Sequence, residues 1–145
     1  MVARFGDAYV GVLDGTKKPA DQADGRRVRA NHRVISMPVT LAGQAAGDTI
    51  LIARRPAGSV FLGVTLNSSV SLGAAQVAIG VAGNTSKYKD AGTFTTPDTP
   101  TNFAKAAAVA AAPITDREDI IITVSAAALP VGGTLVANVH YAAIG

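Results

Sequence analysis

The chain has no cysteine, no tryptophan and only two histidines in 145 residues. Without thiols, disulfide frameworks, thiolate metal sites and cysteine nucleophiles are excluded. Charge is scarce as well: Asp, Glu, Lys and Arg make up 16% of the residues, against the ~25% of an average globular chain. No apolar run reaches the ~18 to 20 residues of a membrane-spanning helix. The N-terminus lacks the basic-then-apolar order of a secretory signal, so synthesis in the cytoplasm and no membrane partner are expected. The glycines form neither G-x-G-x-x-G nor G-x-x-x-x-G-K-[ST], and Ser68, Ser69 and Ser71 are not framed as G-x-S-x-G. Nucleotide cofactors and a serine hydrolase therefore have no support, and an enzyme is not expected.

What the chain does have is a high apolar fraction, 48%, much of it Ala and Gly. A single domain of this length buries roughly two-thirds of its unfolded surface and needs no metal to fold. Few charges and many small residues suit a surface largely covered by partners. The net charge of +3 is unevenly placed. Met1 to Arg33 carries seven basic residues against four acidic ones, and from Val34 onward six of each sign cancel.

Residues 1–31 read as an extended basic N-terminal arm rather than a second domain. Asp14-Gly15, Lys18-Pro19 and Asp24-Gly25 favour turns, because Gly accepts positive φ and the residue before Pro is driven extended. Only Ala8 to Leu13 has strand character. Arg26, Arg27 and Arg29 could follow phosphates, but no stacking aromatics are interleaved with them, so nucleic acid is not the expected partner. An acidic protein surface fits them better.

Residues 32–145 read as an all-β domain. His32 to Leu41 alternates, with Ile35, Met37, Val39 and Leu41 on one face, and Pro38 makes it an edge or bulged strand. Thr49 to Ala53 is nearly continuous in apolar character, as in a central strand. Ser59 to Asn67 alternates with Val60, Leu62, Val64 and Leu66 inward and Phe61 outward. After the Asn67-Ser68-Ser69 turn, Ser71 to Val81 follows by a hairpin or a corner between sheets, with Ala75, Val77, Ile79 and Val81 on one face. Its other face of Gln76, Ala78, Gly80 and Ala82 is small enough to be closely approached. Gly83 to Thr101 reads as surface loop around one short strand at Thr93-Phe94-Thr95. Phe103 to Ala112 is either a short helix or extended, since alanine favours a helix that Pro100 and Pro113 keep short.

Asp119 to Ala126 and Gly133 to Ala142 alternate again. The turn residues Leu129 to Gly133 suggest that these two form an antiparallel pair. Seven or eight short strands separated by turns make an antiparallel β-sandwich of jelly-roll type. His32 and His140 have no acid at ligand spacing, so no metal site is expected. Asp116, Glu118 and Asp119 are read as solvated turn charges rather than an acid/base pair. Asn84-Thr85-Ser86 matches a glycosylation sequon without a secretory context.

The order SLGAAQVAIGVAG from Ser71, KYKDAGTFTTPDTPTNFAKAAA from Lys87, and IIITVSAAALPVGGTLVANVHY from Ile120 resembles structural proteins of tailed-bacteriophage virions. The likeness is greatest to capsid decoration (cement) proteins and covers Ser71 to Tyr141. It implies a compact β fold on the outside of a phage head, reinforcing contacts between major capsid proteins, with trimers favoured and no cofactor. On that reading Arg26, Arg27, Arg29 and Arg33 contact the capsid. Tyr88 and Phe94, in the Gly83 to Thr101 segment, are candidate subunit contacts, although core packing is the commoner role for Phe94. A tail, head-to-tail or fibre-tip component, including a carbohydrate-binding sandwich, is the alternative. The lack of Trp, with three Tyr and four Phe, disfavours sugar stacking.

Overall fold

The structure is a computed structural model that describes residues 31–143. Arg26, Arg27, Arg29 and the strand-like Ala8 to Leu13 lie outside the described residues. The elements are β1 (Asn31–Ala42), β2 (Thr49–Arg55), β3 (Val60–Ser68), β4 (Gln76–Val81), β5 (Asn84–Thr93), β6 (Thr101–Phe103), α1 (Ala106–Ala110), β7 (Glu118–Ser125) and β8 (Val131–Ala143).

Two four-stranded antiparallel sheets form, sheet I in the order β1-β8-β3-β6 and sheet II in the order β2-β7-β4-β5. The first strand therefore pairs with the eighth, the second with the seventh, the third with the sixth and the fourth with the fifth. This is the winding of a jelly roll. The inward faces meet in one core, with Leu66, Leu135 and Val139 from sheet I against Ile52, Val77, Ile79, Ile120 and Ile122 from sheet II.

Where alternation is uninterrupted, the structure follows it. Ile120, Ile122 and Val124 of β7 and Leu135, Ala137 and Val139 of β8 are fully buried, with intermediate residues between them. β1 lies at the edge of sheet I, where the missing N–H of Pro38 is tolerated, and its register shifts between Thr40 and Ala42. The segment after β3 is a corner: β3 belongs to sheet I and β4 to sheet II.

Several expectations are corrected. Thr49 to Ala53 is not central but part of the edge strand β2. A register shift between Leu51 and Ala53 turns both Ile52 and Ala53 inward and leaves Leu51 exposed. In β3, a shift between Phe61 and Gly63 reverses the phase, so Phe61 is buried and Leu62 is exposed. The expected loop from Gly83 is mostly β5, a strand of ten residues that ends at Thr93, before Phe94. Its sequence is polar because, at the edge of sheet II, only Tyr88 and Lys89 are buried. β7 and β8 do not pair with each other, because Leu129 to Val131 carries the chain from one sheet to the other. Phe103 to Ala112 divides between the end of β6 and the five-residue α1, which has no buried side chain.

β4 is buried on both faces. A Cβ at Gly80 would strike the carbonyl oxygen of Asn84 and lie within 2.6 Å of the Thr85 backbone. The small outward face is thus covered by the first residues of the chain's own next strand. Gly80→Ala is expected to lower the unfolding free energy by roughly 1 to 3 kcal/mol through overpacking, as a shift of the urea midpoint. An unchanged midpoint would show that the β4–β5 hairpin yields freely.

Candidate functional site

The outer face of sheet I carries a polar row across all of its strands. Ser36 of β1 lies opposite Asn138 of β8, Asn138 opposite Thr65 of β3, and Thr65 opposite Asn102 of β6. Period-2 alternation dictates this, since each residue is one step from a core position. On this face the amide oxygens of Asn67 and Asn138 are buried without a hydrogen-bond partner.

Beside the row, His32 and His140 come together although they are 108 positions apart in the chain. His32 Nε2 lies 3.0 Å from His140 Nδ1, with the rings 17° from parallel. His140 Nε2 is 3.1 Å from the Thr65 hydroxyl oxygen, and that hydroxyl donates to Asn102 Oδ1. The network sets the tautomers. With its proton spent on Asn102, Thr65 accepts from His140 Nε2–H, so His140 Nδ1 accepts from His32 Nε2–H. Burial, then the charge of His32, holds the His140 pKa below its ordinary value. His32, His140 and Asn102 line a cavity of about 250 Å³ together with Leu62, Gly63, Phe103 and Ala104.

A second cluster joins β2, β5 and β7 of sheet II. Arg55, on β2, is 3% exposed. Its Nη2 donates to Glu118 Oε1 and to the Tyr88 hydroxyl, each at 3.1 Å. Tyr88 donates to the same carboxylate, and Lys87 Nζ donates to its other oxygen at 2.6 Å. The Tyr88 ring stacks on Phe61 with centroids 4.1 Å apart. Burial and then the Glu118 contact raise the Tyr88 pKa. For Glu118, burial alone would raise the pKa, but the hydrogen bonds from Lys87 and Tyr88 and the charge of Arg55 outweigh it and hold the carboxyl low. An acid kept ionised among cations and a phenol kept neutral make a structural ion pair. General acid catalysis needs the opposite, a carboxyl raised toward neutrality.

The residues singled out from sequence are dispersed. Arg33 is exposed on β1. Tyr88 and Phe94, the candidate subunit contacts, are buried within the protomer. Tyr88 belongs to the Arg55 cluster, and Phe94 meets Phe103 edge-on at 6.3 Å. Of the three acids, Glu118 is not a solvated turn charge, whereas Asp119 is exposed beside Arg54 and Arg117. Among the described residues, no three His, Asp or Glu side chains gather as metal ligands. The histidine pair escaped sequence reading because only the β1–β8 register brings the two rings together.

No protein-family model matches the chain, and no curated protein matches it. Solved structures do. A chain of the cyanophage Pam1 capsid asymmetric unit aligns with a TM-score of 0.65 at 20% identity, covering 79% of this chain and 86% of that one. A chain in the capsid of Ralstonia phage GP4 aligns with a TM-score of 0.64 at 17% identity, with the same coverages. The likeness is one of fold.

Glu118 supplies the testable electrostatics. Its folded pKa is depressed, so its stabilisation is complete above the unfolded value of about 4.3 and is lost as pH falls through the folded value. Glu118→Gln leaves Arg55 buried without its counter-charge and is expected to cost ~3 kcal/mol at pH 7. It should also shallow the acid limb of the stability profile. Urea melts from pH 3 to pH 7 would expose a wild-type-like profile if the cluster is inert.

Proposed function

We propose that this chain is a structural protein of a tailed-phage virion that binds the outside of the capsid and stabilises contacts between major capsid proteins, as a decoration or cement protein. The observation that carries this reading is the fold held in common with chains of two phage capsid structures over 79% of this chain. The sequence resemblance points the same way.

The physical features agree. A double-sheet sandwich with one continuous core is rigid, and rigidity preserves the register of contacts repeated over a symmetric shell. Paired weak contacts then gain by avidity what each lacks alone. The scarcity of charge suits a surface covered on several sides by capsid protein and by other copies of this chain, for which a trimer is the favoured assembly. The basic excess of residues 1–33 complements acidic capsid surface, with Arg26, Arg27, Arg29 and Arg33 as the contacting cations. No catalytic step is assigned.

Purified particles provide the test. Quantified against the major capsid protein, the chain is expected at a fixed and substantial fraction of its copy number, whereas trace abundance would assign it to the tail or the connector instead. Deleting residues 1–31 should weaken binding to undecorated heads. Wild-type binding should fall as salt rises, because exposed charge pairs are screened beyond ~10 Å at 0.1 M. Unchanged occupancy after the deletion would remove the arm from the mechanism.

A further inference from the structure

The side chains of the Arg55 cluster are committed to one another, but the chain of Asn102, Thr65, His140 and His32 ends beside a cavity with donors to spare. We propose that this cavity receives the carboxylate of an acidic side chain, and that the His32–His140 pair takes up one proton as it binds. That the guest belongs to a capsid protein rests on the function proposed above; the chemistry of the site does not.

The argument starts from which polar atoms are already committed. Asn102 Oδ1 accepts from Thr65, so the Asn102 amide still has both N–H groups to give, and no acceptor among the described residues takes them. His32 Nε2–H is directed at His140, which leaves His32 Nδ1 as the place for a further proton. Protonation there makes His32 a stronger donor to His140 and adds a second N–H. His140 has no such freedom. A proton on its Nδ1 would replace the acceptor that His32 addresses with a donor facing a donor, and its burial opposes charge as well. A proton added to the pair is therefore carried on His32 Nδ1, the ring nitrogen that the His32–His140 contact leaves uncommitted.

In that state the cavity offers a charged N–H from His32 and a neutral N–H from Asn102, beside apolar walls from Leu62 and Ala104. Two donors beside an apolar wall match a carboxylate on a short aliphatic stem, as in Asp or Glu. A wholly apolar guest would bury those donors without partners. A metal cation would meet donors where it needs lone pairs. The four strands packed here contribute His32 from β1, His140 from β8, Thr65 from β3 and Asn102 from β6. Among the lining residues the two histidines are the titratable groups and none is acidic, so an incoming anion meets no like charge.

The test uses the full chain labelled with 15N, with N-acetylglutamate amide as probe and N-acetylglutamine amide as its neutral counterpart. At pH 6 the acidic probe is expected to give saturable shifts of both imidazoles and of the Asn102 side-chain amide, with the glutamine analogue at least about tenfold weaker. At the alkaline end of a pH series, affinity should fall about tenfold per pH unit, the slope for uptake of one proton on binding. Asn102→Ala and His32→Gln, both at exposed positions, should each weaken binding about tenfold with thermal midpoints kept. Equal binding of the two probes, absence of histidine shifts, or full affinity in both variants would overturn the proposal. The probe comparison needs no variant to fold. Loss of head binding with probe binding intact would count against the capsid function alone.

Discussion

Both polar sites of the molecule depend on one irregularity in β3. Strict alternation from Val64 and Leu66 back along the strand would put Leu62 in the core and Phe61 in solvent. The register shift at Leu62 breaks that sequence, as a β-bulge does by setting two residues against one on the neighbouring strand. Phe61 turns inward and provides the surface on which Tyr88 stacks, so that the phenol reaches Glu118 and Arg55. Leu62 and Gly63 turn outward and form part of the wall of the histidine cavity. Without the slip, the ion cluster would lose its aromatic floor and the cavity its apolar side.

How legible the fold was depended on which strands lie between two neighbours. β7 and β8 are inner strands, and their alternating residues announced both their existence and their facing. β5 is an edge strand whose polar residues face water, so hydrophobic periodicity had nothing to register; the backbone ladder to β4 makes it a strand. Pairing was the least readable level. The glycine-rich turn between β7 and β8 has the chemistry of a hairpin, but the two strands belong to opposite layers. Turn residues describe local φ and ψ, and the packing of distant strands decides which sheet each joins. The small face of β4 was legible as a place of close approach, though not as one filled by the Asn84 and Thr85 backbone.

The sites follow the same logic. Glu118, which reads as a solvated turn charge in the sequence, is drawn into a cluster with Arg55 because the two face each other in the β2–β7 register. Lys89 is a related case. Its ammonium donates to the Val77 and Asp90 carbonyls, each at 2.9 Å, and lies 4.7 Å from the Phe103 ring. Burial lowers its pKa. It bridges β5 of sheet II to β6 of sheet I through the Phe103 ring. Apart from the Lys89–Asp90 bond, these partners are distant in sequence and are brought together by the pairing and packing of strands.

The position of β8 has a consequence for how the molecule comes into being. Among the described residues β8 is the one strand that pairs with β1, Asn31 lying opposite Ala143, so β1 waits through the synthesis of the intervening strands before that ladder can form. Long-range closure of this kind is slow, because the entropy of joining distant segments is lost before their contacts form. Until β8 arrives, β1 and one side of β3 present open hydrogen-bonding edges. Pro38, in the middle of β1, interrupts one of them. The proline at the margin of the finished sheet thus also breaks an edge along which unfinished chains could pair.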